Sequence, residues 1–471
     1  MRNDDVPLCV DMDGTLVLSD LGVESVLALV RRNPLYLFVL PFWLARGLAH
    51  FKREVARRVE LDVARLPYDE RVVDWLRGQG GRTRVLCTAS DAALADAVAA
   101  QVGLFDAVIA SDGATNLSGS RKAAALVARY GEGGFDYAGN ARADLAVWAR
   151  ARQAIVVNAP AGVARAAQAQ GRVGREFACT GGAWREAIRA LRPHQWAKNL
   201  LVFVAALAAH RADAVSARHA LLAFAAFCLC ASAAYVLNDL LDLDADRRHP
   251  RKRLRPFAAG RLPLLAGLFA APLLTLAAFA LAATLSGAFV TTLFAYGATT
   301  LAYSLWLKRL PVVDVLVLAM LYTLRIVGGG VAIPVEVSGW LLAFSMCLFL
   351  GLALLKRDIE IARMPATPDA ALGGRGYRVR HRGLIRAFGV IAGVGAVGVL
   401  ALYIDSTKSA ALYAHQHRLW WLVPLLGAWL ARLWRLAARG RMHDDPIVFA
   451  LTDAVSLVAL LLGTGIVFAA L

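Results

Sequence analysis

Acidic side chains are in short supply in this chain: 35 Asp and Glu stand against 52 Lys and Arg, a net charge of +17 over 471 residues. Cysteine is scarcer still. Cys9, Cys87, Cys179, Cys228, Cys230 and Cys347 show no zinc-site spacing and lie mainly in apolar surroundings, so they read as reduced packing residues. Met1–Pro7 is polar and leads straight into a short apolar run, which is not the pattern of a signal peptide. Internal repeats and low-complexity tracts are missing too, apart from Ala/Leu-rich stretches. What abounds is apolar: 58% of residues are hydrophobic and the mean hydropathy is +0.53, which excludes an ordinary soluble composition.

The apolar character is uneven. Residues 1 to about 190 mix charges with short apolar runs, whereas long apolar segments recur from Asn199 onward. About nine membrane helices are expected, near 199–210, 219–237, 262–283, 286–306, 312–333, 338–355, 384–404, 418–436 and 447–470. Alternate loops between them are strongly basic, and the positive-inside rule makes that face cytoplasmic. The basic excess is then partly topological, and nucleic acid is not an expected partner. The reading is a soluble domain over 1–175, a linker and lead-in helix over 176–190, and a multi-pass inner-membrane domain over 191–471.

In the first part, apolar runs at Leu8–Val10, Arg84–Cys87 and Ala107–Ala110 each end in a polar tip, and Phe135–Asn140 repeats the pattern. Strand, polar tip, helix is the doubly wound α/β arrangement, whose ligands gather at the strands' carboxyl ends. Asp11-Met12-Asp13-Gly14-Thr15-Leu16 resembles the first motif of the haloacid dehalogenase (HAD) superfamily, largely phosphatases. That resemblance implies a Rossmann-like fold with a helical cap over about 19–78, Asp11 as nucleophile and Asp13 as general acid/base. It also implies Thr88 and Lys122 as phosphate-binding residues, and Mg²⁺ held by Asp11 and Asp144. The family's fourth motif begins Gly-Asp, whereas this chain has Gly139-Asn140, so metal binding is expected to be weaker. Within the cap, residues 34–45 are very apolar but too short to span a bilayer; they read either as a buried cap helix or as an interfacial one.

In the second part, Asn238-Asp239-Leu-Leu-Asp242-Leu-Asp-Ala-Asp246 repeats acids at spacings of three and four, one face of a helix, and a basic run follows at once. Carboxylates so placed suit Mg²⁺ shared with substrate phosphates, and neighbouring cations suit the remaining phosphate charge. With Arg192-Pro-His-Gln-Trp-Ala-Lys198-Asn and Tyr303-Ser-Leu-Trp-Leu-Lys308-Arg309, the cluster resembles the all-α, polytopic UbiA superfamily of intramembrane transferases. Typical members hold a Mg²⁺-prenyl diphosphate between two acidic motifs. Here the second position reads Lys356-Arg357-Asp358-Ile-Glu360. The run HPRKRLRPFAAG at 249–260 and YSLWLKRLPVVD at 303–314 are most similar to the decaprenyl-phosphate phosphoribosyltransferase branch.

That branch implies transfer of 5-phosphoribosyl from phosphoribosyl pyrophosphate (PRPP) to a polyprenyl phosphate. Asp239, Asp242 and Asp246, with Asp314, would hold Mg²⁺. Lys198, Asn238, Lys252, Arg253, Arg255, Tyr303, Lys308, Arg309, Lys356, Arg357 and Glu360 would contact substrates. PRPP carries a 5-phosphate besides its diphosphate, so its site needs more cations than a prenyl diphosphate site. The HAD-like domain is then expected to remove the 5-phosphate. The alternatives are an aromatic prenyltransferase with a 4-hydroxybenzoate-like acceptor, and a transporter or scaffold with degenerate sites.

Overall fold

The structure is a computed structural model describing residues 6–179, 181–211, 213–365, 375–442 and 445–471. Its contacts divide the chain into two compact units, Met1–Leu191 with Tyr235–Ala271, and Arg192–Ala234 with Pro272–Leu471.

The first unit is built on six parallel strands, β1 (Leu8–Val10), β2 (Arg84–Asp91), β3 (Ala107–Ser111), β4 (Asp136–Gly139), β5 (Gln153–Val157) and β6 (Val173–Phe177), in the order β3-β2-β1-β4-β5-β6. The first four fall on the runs read from sequence; β5 and β6 continue the sheet beyond them. Because β1 pairs with both β2 and β4, the winding reverses there, and the tip of β1 is the switch-point crevice of such sheets. Alternation sorts β1's side chains: Leu8 and Val10 join Val72, Leu76 and Val98 on one face, while Cys9 joins Phe135, Tyr137 and Trp148 on the other. Nothing on β1 is exposed, which is why it reads as a bare apolar run.

The stretch expected to form a cap carries α1 (Leu21–Arg32), α2 (Tyr36–Ala45), α3 (Leu48–Ala56) and α4 (Glu70–Arg77). The Asp20 side chain accepts from Val23 N and fixes the start of α1. The same unit contains the C-terminal end of a long helix, α11 (Ala214–Leu241), the short α12 (Leu243–Arg248), and the start of α13 (Leu264–Ala283). Leu27 of α1 is buried with Val236, Leu240, Leu243, Phe257 and Leu264 in one apolar cluster. Gly260 has φ +68, and a Cβ there would lie 2.7 Å from the Leu18 carbonyl oxygen, so only glycine admits this approach.

Among the described residues six helices are long and apolar enough to cross a bilayer: α11, α13, α14 (Gly287–Leu305), α15 (Val313–Ala332), α16 (Gly339–Ala362) and Val379–Ile404. The remaining expected segments carry Val202–Ala208, Leu422–Ala438 and Ala454–Ala470, of 7, 17 and 17 residues. In the second unit, a Cβ on Gly329 of α15 would lie 1.9 Å from the Val202 carbonyl oxygen, and one on Gly328 would lie 2.6 Å from the Phe227 ring. Gly328–Gly330 therefore serve close helix packing.

Candidate active sites

The tips of β1, β2 and β4 converge on one buried polar network. Asp11 Oδ1 accepts from Met12 N and from Lys122 Nζ, both at 2.9 Å. Lys122 Nζ also donates to the Tyr137 hydroxyl at 2.8 Å, and that hydroxyl donates to Asp144 Oδ1 at 2.9 Å. Asp144 Oδ2 accepts from the backbone N–H groups of Asn140 and Ala141. Asp13 accepts from Leu21 N at 2.8 Å and from Ser90 Oγ at 2.7 Å, while Thr88 Oγ1 accepts from Ser90 N. The fold thus brings together Asp11, Asp13, Thr88, Lys122 and Asp144, and adds Tyr137, Ser90 and Lys52. Lys52 reaches in from α3, donating to Ala89 O at 2.7 Å and Asn116 Oδ1 at 3.1 Å. A lone Tyr, Ser or Lys in a mixed sequence carries no signal of such a role; only the convergence of strand tips discloses it.

Burial pushes Asp11 up to about 7, with Lys122 pulling against it, and pushes Asp13 up to about 6, with Asp20 adding to the effect. Burial also favours loss of the Lys122 proton, but Asp11 and Asp144 outweigh it and hold the ammonium charged. Asn140 Oδ1 is buried with no hydrogen-bond partner. Asp144 lies four residues on and accepts from the Asn140 N–H, and Asp11 directly follows the neighbouring strand, so this orphaned side-chain oxygen is a hard donor of the kind Mg²⁺ takes and the residues fit that ion.

The aspartate motif lies in the same unit. The expectation that its three acids share one helical face is not met, because the helix breaks at Asp242 (φ −100, ψ 14), between α11 and α12. Asp239 and Asp246 meet instead at one guanidinium, with Arg255 Nη1 3.0 Å from Asp239 Oδ1 and 2.5 Å from Asp246 Oδ2. Asp242 turns to Arg31 of α1, at 3.0 Å, and its N–H donates to the Asn238 carbonyl. Arg247 pairs with Glu24 of α1 and donates to Ala258 O. Burial raises the Asp246 carboxyl above its ordinary value, with Arg255 opposing. Lys252 and Arg253 are exposed on a 3₁₀ turn. Among the described residues no three Asp, Glu, His or Cys side chains converge as a ready-made metal cage. The donors of Asp239, Asp242 and Asp246 are nonetheless of the right chemistry for Mg²⁺, their charge being balanced here by Arg255 and Arg31.

The second unit holds the remaining cations. Lys198 and Lys356 both donate to Asp445 Oδ2, at 2.5 and 3.4 Å, and these two ammonium groups outweigh burial to hold Asp445 well below the usual carboxylate range. Arg357, fully buried, grips Asp314 through Nε at 2.6 Å and Nη2 at 3.0 Å. The Tyr303 hydroxyl donates to the same Asp314, and Glu360 accepts from Arg357 at 2.5 Å and Arg375 at 3.0 Å. Asp314, expected as a Mg²⁺ ligand, has both oxygens engaged by Arg357 and Tyr303. Lys308 is half-buried and Arg309 exposed on the turn after α14. Two groups escaped the sequence reading: Asp445, and Arg325, which is buried on α15 and donates to Asn199 Oδ1 at 2.8 Å and the Tyr296 hydroxyl at 2.7 Å. An arginine amid an apolar 20-residue run was the available signal for the second.

Each unit thus has buried acids and bases, and among the described residues six helices are long and apolar enough to cross a bilayer. The UbiA prenyltransferase family model matches residues 199–468. This chain belongs to the UbiA prenyltransferase family. As a UbiA protein it is an integral membrane transferase, and its relatives divide by extent. Uncharacterized protein y4nM of Sinorhizobium fredii is 35% identical over 461 residues, 96% of this chain and 88% of that protein. Nodulation protein NoeC of Azorhizobium caulinodans is 36% identical over 280 residues, covering 59% of this chain and 91% of its own length. Decaprenyl-phosphate phosphoribosyltransferase of Mycolicibacterium smegmatis is 31% identical over 291 residues, 60% of this chain and 92% of that enzyme. Among solved structures, a UbiA homolog from Archaeoglobus fulgidus bound to GPP and Mg²⁺ aligns at a TM-score of 0.48 and 17% identity, over 60% of this chain and 99% of its own.

Proposed function

We propose that this UbiA protein transfers 5-phosphoribosyl from PRPP to a polyprenyl phosphate at the cytoplasmic face of the inner membrane, through about nine spans, and that its N-terminal α/β domain is a HAD-type phosphatase that removes the 5-phosphate from the product. One observation carries the reading. Where a prenyl diphosphate enzyme is expected to place a second acidic pair, α16 carries Lys356 and Arg357, each held by an acid of this chain. A donor with an additional phosphate needs that added positive charge. The likeness to an enzyme named for this reaction, over nearly its whole length, points the same way.

In the first step a phosphate oxygen of the lipid bonds to ribose C1, and the C1–oxygen bond to pyrophosphate breaks, its electron pair leaving with pyrophosphate. The acceptor is already anionic, so no strong base is required. Asp239, Asp242 and Asp246 are the residues to hold Mg²⁺, which when bound neutralises charge on the departing diphosphate. Arg255 then leaves the Asp239–Asp246 pair and takes phosphate instead. Lys198, Lys252, Arg253, Lys308, Arg309, Lys356 and Arg357 supply the remaining positive charge, with Asn238, Tyr303 and Glu360 as polar contacts and Asp314 orienting Arg357.

In the second step Asp11 attacks the phosphorus of the 5-phosphate, Asp13 gives a proton to the departing ribose oxygen, and water later releases phosphate from Asp11. Lys122 and Thr88 hold the phosphate. Asp11, Asp144 and Asn140 Oδ1 are the residues that would hold a second Mg²⁺, whose charge would favour the ionised form of Asp11.

To test both steps, membranes carrying wild type or Asp11→Asn are given labelled PRPP and polyprenyl phosphate. Wild type is expected to yield the dephosphorylated polyprenyl-phosphoribose, and Asp11→Asn to accumulate its 5-phosphorylated precursor. Failure to label lipid sinks the transferase reading, and consumption of a prenyl diphosphate with 4-hydroxybenzoate would replace it. Labelled lipid without accumulation in the variant sinks only the phosphatase reading.

A further inference from the structure

One exposed apolar feature of the first unit lies outside both sites. Helix α2, YLFVLPFWLA, has no buried residue, and with its flanks it leaves Leu35, Leu37, Phe38, Phe42, Leu44 and Leu48 exposed, Phe38 and Phe42 by 72 and 73%. It is apolar all round, so no rotation about its axis hides it in water. At 10 residues it is about 15 Å long, half the thickness of a bilayer's hydrocarbon core. It therefore does not span.

Two independent features say what covers it. First, α1, three residues upstream, is packed through Leu27 against the ends of α11 and α13, two of the bilayer-length helices, and Arg31 pairs with Asp242 at the end of α11. The cap is thereby fastened where spanning helices leave the bilayer. Second, the flanks of α2 are basic. Arg31 and Arg32 precede it, and Arg46, Arg53, Arg57 and Arg58 follow, against a single Glu54. The Arg58 guanidinium lies over the Trp43 ring, 4.6 Å from its centre. An apolar helix with a cationic collar matches the acyl–headgroup boundary of an anionic leaflet.

We infer that α2 is embedded in the lipid surface next to the spanning helices, and that the Asp11 site takes its phosphomonoester from a membrane-resident amphiphile rather than from solution. The link to the site is α3, which follows α2 across Gly47 and whose Lys52 is bonded to the tip of β2 beside Asp13 and Thr88. The substrate half of this inference rests on reading the Asp11 site as a phosphohydrolase; the lipid contact does not.

The test uses the full chain in nanodiscs with an anionic lipid. A photo-crosslinking residue replaces Phe38 or Phe42, with exposed Arg165 on the far helix Ala161–Ala169 as control position. Lipid adducts at 38 and 42 but not at 165 support the inference; adducts to polypeptide, or none, overturn it. In a second arm the double variant Phe38→Asp/Phe42→Asp is compared with wild type on p-nitrophenyl phosphate and on a lipid-anchored phosphomonoester. A loss of at least about tenfold on the lipid, with the soluble ester turned over within about twofold of wild type, is expected. Equal loss on both, or on neither, overturns delivery from the membrane. Should wild type hydrolyse neither substrate, the phosphatase reading fails while the crosslinking result still decides the lipid contact.

Discussion

Asp11 and Asp13 are two residues apart at the tip of β1, and each carboxyl is raised, to about 7 and about 6, chiefly by burial. Their ordinary value is near 4, so the protonated forms are favoured on folding. The stability they contribute is complete below about pH 4 and lost as the pH rises through about 6 to 7. The metal-free protein is expected to unfold at a lower temperature at pH 8 than at pH 5. Mg²⁺ should raise the unfolding temperature more at pH 8, since it binds the ionised acids; equal gains at both values would remove it from this site. Arg357 makes a second test. Its pair with Asp314 is fully buried, and removing one partner of such a pair costs about 3–5 kcal/mol. Arg357→Met should therefore lower stability in detergent sharply, and Asp314→Asn added to it should recover part of the loss.

Among the elements, α1 makes contacts at both of its ends and along its length. Its N-terminus is set by Asp20, and its first N–H is held by Asp13. Glu24 binds Arg247, and its C-terminal Arg31 binds Asp242. One helix thus touches both acidic motifs, a connection that the spacing of charges along the sequence does not disclose. The packing of α15 offers a cleaner measurement. A methyl at Gly329 would sit 1.9 Å from backbone at Val202, which cannot give way as a side chain can. Gly329→Ala is expected to cost about 1–3 kcal/mol, read as a lower unfolding temperature in detergent. Gly287→Ala, where a Cβ meets nothing within 4 Å, should be close to neutral.

For the whole molecule, the fusion itself is the observation to explain. Two relatives match 59 and 60% of this chain over 91 and 92% of their own length, whereas y4nM matches 96% of it. Tethering raises the local concentration of one site near the other's product to the millimolar range. On the proposed two-step function, a mixture of Asp11→Asn and Asp239→Asn proteins in separate vesicles should form the dephosphorylated lipid more slowly than wild type and after a lag. Wild-type kinetics from the mixture would show that the two activities gain nothing from one chain.

Sequence by itself determined where short apolar runs amid charges give way to long apolar runs, since these are local properties that burial imposes residue by residue, but not that Tyr235–Ala271 belongs to the same compact unit as the N-terminal sheet. It also determined which oxygen donors and cations are present, because motif chemistry is written in residue type. The tertiary structure alone decided who pairs with whom. It turned Asp242 away from Asp239 and Asp246, set Arg255 between those two, closed Asp314 around Arg357, and brought in Tyr137, Lys52 and Asp445 from distant positions. A buried charge must find its partner wherever the packed chain places one, and that distance in space has no counterpart in distance along the chain.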